Sequence, residues 1–319
     1  LDGRVLEHLF ARAKRVKLAV TAWDLSSPAA LRDIPRQAAT AERMGFSGFW
    51  LPENHFSGSA ALSAPLILLA GAAARTQSID VGTTSLVLPI RHPVAVAEEV
   101  ATLDQLAEGR LILGLGRGFS DDLFQVFSVD PSQKRAMFKQ SLSTMISAWA
   151  GERLPGAGPR DIRLSPRPFQ SPNPRLWIAA FGPLALKQAA AFGCPYLASP
   201  MESLSALQEN RVRYHEALDA AEQPRPEVVP IMRTIFITEN SRLAEQIKQA
   251  LIDEMSNRGS LGREDDPAFI VGSASYVADT LAKYQASLGM NYLIARGRIR
   301  GLSETDQLAS HDALLQLSL

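Results

Sequence analysis

Directly after the apolar run 48–51 come three polar residues in succession, Glu53, Asn54 and His55. A carboxylate, an amide and an imidazole placed together can orient a ring edge and move a proton near neutral pH. The same run reads equally as a solvated loop capped by its Asn. A second group is Gly114-Leu115-Gly116-Arg117-Gly118. It lacks the last glycine of a dinucleotide fingerprint and leads into Asp121 and Asp122. It reads instead as slim backbone that admits a flat ligand, with Arg117 offering a forked cation to a phosphate. Phe181-Gly182-Pro183 opens a helix whose free N–H groups and positive dipole end suit an anion, although a plain turn glycine would look the same. Arg296, Arg298 and Arg300 follow the last apolar run and read as a solvated loop or as a gate for an acidic substrate. Trp23, Phe119 and Phe124 point to an apolar pocket for a hydrophobic or aromatic substrate, or to ordinary packing.

Other chemistries find no residues to carry them. The five histidines, at 8, 55, 92, 215 and 311, show no metal-ligand spacing, and neither GxSxG nor HExxH occurs. His8 and His215 read as surface residues, His311 as structural, and His92 as either a cap-region or a pocket residue, which leaves His55 as the catalytic candidate. Cys194 is the single cysteine, so no disulfide forms within the chain, and it reads as a small core residue. Lys+Arg and Asp+Glu both number 33, and a zero net charge argues against nucleic acid and anionic membranes as partners. No apolar run reaches the ~18 residues of a membrane span and no signal-peptide pattern opens the chain, which reads as cytoplasmic.

The elements that must position these residues alternate regularly. Strand-like runs are expected at 16–22, 48–51, 79–88, 111–115, 176–180, 196–199, 228–238 and 292–295. Helices are expected at 29–44, 64–75, 94–107, 132–149 and 275–288, and beginning at Leu184, Ser203, Ser241 and Thr305. Continuous apolar strands alternating with helices predict a closed parallel (β/α)8 TIM barrel, with an open doubly wound sheet as its competitor. One domain is expected over 16–319, preceded by an N-terminal extension at 1–15. A Pro- and Gly-rich excursion is expected at 151–174 and a mobile loop near 257–268. In such a barrel the active site lies at the C-terminal ends of the strands, where the polar groups above fall.

The chain also resembles bacterial luciferase and its relatives. The likeness runs through 42–56 and is strongest over 81–127, where HPV at 92–94, LDQLAEGR at 103–110 and GRG at 116–118 are followed by an acidic turn. A weaker likeness covers 176–191 and 271–293. The resemblance implies a luciferase-like barrel, commonly a homodimer, acting as a monooxygenase on a small organic substrate with reduced FMN and oxygen. The reduced flavin would come from a separate flavin reductase. Related branches use the deazaflavin F420 for hydride transfer, and a non-catalytic flavin-binding partner subunit is a third possibility of the same lineage.

By residue, the match assigns His55 to acid–base work, with Asn54 and Glu53 orienting. It places a non-prolyl cis peptide at Thr84-Ser85, behind the flavin ring. Cofactor contacts fall at Thr84, Ser85, Gly116, Arg117, Phe119, Ser120, Ala180, Phe181, Gly182, Ala185 and Ser199, with no metal. Three positions depart from the luciferase pattern. Asn54 replaces the first of two adjacent histidines, Gly116 replaces a cysteine, and Phe181-Gly182 replaces a Glu-Ser pair. These departures imply a non-luminous relative.

Overall fold

A computed structural model of the chain describes residues 16–58, 61–256, 266–299 and 301–319. The expected extension at 1–15, most of the expected mobile loop and Arg300 lie outside the described residues.

The strands that carry no polar alternation form an inner layer covered on both sides. In chain order the strands are β1 (Lys17–Thr21), β2 (Gly48–Leu51), β3 (Asp80–Thr83), β4 (Leu86–Val87), β5 (Leu111–Gly116), β6 (Arg175–Ala179), β7 (Tyr196–Leu197), β8 (Pro230–Ile237), β9 (Phe269–Gly272) and β10 (Tyr292–Ala295). The helices are α1 (Pro28–Met44), α2 (Pro65–Ala73), α3 (Pro93–Leu106), α4 (Asp121–Val126), α5 (Lys134–Trp149), α6 (Pro183–Ala191), α7 (Leu204–Ala220), α8 (Ser241–Ser256), α9 (Ala274–Leu288) and α10 (Glu304–Leu315).

All strand pairings are parallel, in the order β7-β6-β5-β3-β2-β1-β10-β8. A bridge between Ala198 and Ile231 joins β7 to β8 and closes the ring, giving the TIM barrel with its helices outside. That seam is the narrowest join in the ring.

The barrel interior is filled by aromatic rings. Trp50 and Trp177 stack with centroids 4.8 Å apart, and Tyr292 meets both edge-on. A side chain at Gly82 would lie 2.4 Å from the Trp50 ring, so this strand position needs glycine for the ring to fit. The plug closes the barrel beneath the mouth and leaves chemistry to the strand ends.

Three elements differ from the sequence reading, the first being the short helix α4 at Asp121–Val126, which was not expected. The expected strand 79–88 is interrupted at the Thr84-Ser85 bond, which is cis, so that β3 pairs with β2 and β5 while β4 pairs only with β5. The segment 269–272, not expected as a strand, adds β9 to the far half of β8, outside the ring. The excursion 151–174 contains no helix or strand and folds on itself through the bridge Arg153–Arg163.

Candidate active site

Register brings four of the predicted groups side by side. Leu51 pairs with Thr83, Leu86 with Leu115, Val87 with Gly116, and Leu115 with Ile178. The residues that leave β2, β4, β5 and β6 therefore line one arc of the mouth.

The β2 corner is closed by internal bonds. Glu53 has a fully buried side chain, and its Oε1 accepts from His55 Nε2 at 2.6 Å and from Arg91 Nη1 at 2.8 Å. Its Oε2 accepts from the backbone N–H of Val87 at 2.7 Å, and Arg91 returns to the Val87 carbonyl at 2.7 Å. A carboxylate only accepts, so the His55 nitrogen facing it carries the hydrogen. This leaves Nδ1 as the ring nitrogen without a hydrogen bond among the described residues. Phe127 meets the imidazole edge-on at 5.4 Å, and Phe56 leans on it at 5.7 Å. Asn54 is occupied elsewhere. Its Oδ1 accepts from Leu62 N at 2.6 Å and its backbone exchanges two bonds with Leu62, which pins the 54–62 loop. Of the two readings of this run, the functional one suits Glu53 and His55 and the loop-capping one suits Asn54.

The β5–β6 corner is left open. Arg117 is half-buried yet has no ion pair or hydrogen bond among the described residues; burial first, and then the charge of Arg135, pull its guanidinium below its ordinary value. Arg135 is tied to α6, where Gln188 Nε2 donates to its carbonyl. At the head of α6, Gly182 has φ 82° and no side-chain cap, and a Cβ there would meet nothing within 4 Å. The Ala185 N–H, expected to face a phosphate, donates instead to the Gly182 carbonyl at 3.1 Å. Pro183 has no N–H, so Gly182 and Leu184 supply the unengaged donors. Phe181 and Leu184 are exposed, and Ala180 and Ala185 belong to the core.

Between the corners, Thr84 Oγ1 is buried with no hydrogen-bond partner. Gly116 is slim for a neighbour and not directly for a ligand, because its Cβ would lie 2.2 Å from Ser85 Oγ. Ser120 caps α4, accepting from Leu123 N, and Phe119 beside it is 94% exposed. Ser199 leaves β7 with its N–H on Glu202 Oε2 at 2.7 Å, its carbonyl on Arg233 and its Oγ accepting from Met201 N. Behind it, burial raises the Glu202 carboxyl, against the pull of Tyr196, the Ser199 N–H, Arg233 and Asn210.

Several expectations change on contact with the structure. Trp23 and Phe124 are buried in the core, which suits the packing reading of the two. The 296–299 segment is packed and not solvated. Gly297 N donates to Thr21 Oγ1, and Arg296 pairs with Glu254 at 3.1 Å. His215 is partly exposed on α7, in keeping with the surface reading, and His92 is exposed at the head of α3 with no cap bond. His311 is structural as expected, packed on Trp23 and Phe46, and Cys194 is buried, its thiol pushed up to about 12 by desolvation. The sequence reading missed Arg91 and Arg135. Arg91 stands just before His92-Pro93, and nothing in the local pattern pairs it with Glu53 across two strands.

The unengaged groups fit a flat, phosphate-bearing cofactor: a bare cation and helix N–H donors at one end, and an orphan hydroxyl midway along the arc.

A profile of the luciferase-like monooxygenase family matches residues 16–295, and the chain belongs to that family. An uncharacterized protein of Sinorhizobium fredii is 26% identical over 281 residues, covering 81% of this chain and 82% of its own. Limonene 1,2-monooxygenase of Rhodococcus erythropolis is 36% identical over 113 residues, which cover 35% of this chain and only 29% of that enzyme. Among solved structures, the oxygenating constituent of Pseudomonas putida 3,6-diketocamphane monooxygenase, in complex with FMN, superposes with a TM-score of 0.80 at 18% identity, over 95% and 98% of the two chains. An F420-dependent secondary alcohol dehydrogenase superposes at 0.76 with 15% identity, over 93% and 97%. At these identities the structural likeness speaks for the fold alone. No helix among the described residues is long and apolar enough to cross a membrane.

Proposed function

We propose that this chain is a flavin-dependent monooxygenase that takes reduced FMN at the barrel mouth and oxygenates a small organic substrate there. The observation that carries the reading is the pairing of an unpartnered, half-buried Arg117 with a fully ordered Glu53–His55–Arg91 corner on the same arc. Arg117 and the N–H groups of Gly182 and Leu184 would hold the phosphate, and Thr84 Oγ1 would meet the polar edge of the ring. Bound reduced flavin supplies two electrons, so that one atom of O2 enters the substrate and the other leaves as water. His55 would deliver and recover the proton through Nδ1, held in place from behind by Glu53. Phe56 and Phe127 flank that imidazole and would exclude water from it. The reading expects one catalytic domain over 16–319, working as a cytoplasmic homodimer fed by a separate flavin reductase.

A second reading, hydride transfer with F420 on the same barrel, is favoured by one observation: Arg135 stands exposed beside Arg117, and two cations suit a longer anionic cofactor. Anaerobic titration with reduced FMN and with reduced F420, followed by 18O2 and a panel of apolar ketones, aldehydes and alkenes, separates the two. Tighter FMN binding with one 18O atom in the product supports the monooxygenase. Preference for F420 without label incorporation moves the function to hydride transfer, and binding of neither removes both.

A further inference from the structure

A second cavity lies under the seam where β7 and β8 meet through a single bridge. Both bridge residues, Ala198 and Ile231, line a solvent-open cleft with an enclosed volume of about 80 Å3, running beneath α7. Its walls are apolar, with Leu207 from α7, Val228 and Val229 from the segment entering β8, and Leu288 from the end of α9. The mouth is built from residues that leave the strands, whereas this cleft is built largely from residues that approach them.

The rim of the cleft is cationic. Arg211 and His215 stand four residues apart on α7, hence on one face of it, and Arg225 comes from the loop beyond. Arg225 is paired with Asp219 at 3.1 Å. Arg211 is half-buried and has neither an ion pair nor a hydrogen bond among the described residues. A guanidinium in that position loses hydration with no anion of its own in return, while its neighbour Arg225 is held by Asp219. Burial lowers the Arg211 pKa from the ordinary arginine value, Tyr214 acts against it, and the charge of Arg225 adds a smaller lowering.

We propose that this cleft binds a small amphipathic organic anion, with its acidic head on Arg211 and Arg225 and its apolar body against Leu207, Val229 and Leu288. Both halves of that ligand follow from the lining. The cations select a negative head and reject a positive one, and the walls reward an aliphatic or aromatic body over a bare inorganic ion. A carboxylate and a phosphate share the chemistry that the rim offers, so the head group is decided by experiment.

Calorimetric titration of the full chain with octanoate, octyl phosphate, octanol and octylammonium tests the proposal. At least one of the two anions should bind ~10-fold or more tighter than octanol, the scale of one charge-assisted contact, and octylammonium should not bind. Arg211→Met should weaken that anion ~10-fold or more while the affinity for reduced FMN stays unchanged, and Arg211→Lys should retain part of the binding. Val229→Trp, which fills the cleft and leaves Arg211 intact, should lose the ligand as well. Equal binding of octanol and the anions, or undiminished anion binding to Arg211→Met, would overturn the proposal, the latter by moving the ligand to the barrel mouth. No binding of either anion would overturn it too.

Discussion

Glu53 and Arg117 leave strands that flank the same β3–β4 segment, and the protein treats them in opposite ways. Every oxygen of Glu53 is engaged, and the side chains that engage it are locked in turn. Arg117 is partly shielded from water and given nothing. On the proposed function, such a contrast at one mouth separates the two tasks of a catalytic site. Proton movement needs a side chain held at a fixed angle before the substrate arrives, so its supports are internal. Ligand binding needs groups whose best partner is the ligand, so the fold leaves them unsatisfied and carries a small cost in stability until it comes.

The comparison can be broken most severely at Glu53. Glu53→Ala leaves Arg91 without its carboxylate and His55 without its anchor. It should cost ~3–5 kcal/mol in urea unfolding, the scale for one partner removed from a buried pair. A loss below ~1 kcal/mol would mean that the corner is not held by its ion pair. His55→Asn acts on chemistry instead. Turnover should fall ~10²–10⁴-fold while the dissociation constant for reduced FMN moves by less than a few-fold. A parallel loss of FMN affinity would merge the two corners into one.

The pH dependence needs a control that lies outside the mouth. Burial lowers the His311 imidazole from 6.5 to about 4. Between those values the unfolded chain binds a proton that the folded one refuses. His311 therefore leaves stability intact above pH ~6.5, and stability falls as the medium is acidified towards pH 4, by on the order of 3 kcal/mol in all. His311→Leu should flatten that decline in urea unfolding at pH 7.5 and pH 5, and an unchanged slope would assign it elsewhere. Any acid limb in the activity that survives in His311→Leu then belongs to the mouth. The smallest effect is expected at Asn54. Asn54→Ala removes one side-chain bond to Leu62 and should cost ~1 kcal/mol, with turnover reduced only as far as the loop carrying His55 loosens.

Much of this arrangement could be read in the sequence because local rules dictate it. Apolar runs between helical periods marked the ring of strands, and Ser27, Ser203 and Ser303 cap three of the helices through their side-chain oxygens. The polar residues just past β2 and β5 were visible as site candidates because a parallel barrel allows polar groups little room elsewhere. The partners of those residues were not visible. Arg91 reaches Glu53, and Arg135 approaches Arg117, through tertiary contacts that no spacing encodes. The slimness of Gly116 looked like room for a ligand and is room for Ser85, since a glycine does not announce which neighbour it admits. β9 escaped because the ring of eight alternations was complete without it, and the cleft under the seam escaped because Arg211 sits on an ordinary-looking charged helix and Arg225 in the loop after it.

The central claim is that Arg117 is held bare for the cofactor while the His55 corner is built for chemistry. Its most direct test is the affinity of Arg117→Met for reduced FMN, measured anaerobically beside the unchanged protein. The account predicts a dissociation constant raised ~10–100-fold, the worth of a hydrogen-bonded charge, with unfolding stability equal or slightly higher. Unchanged affinity, or a loss of stability of several kcal/mol, would contradict it, because Arg117 would then be serving the fold and not the ligand.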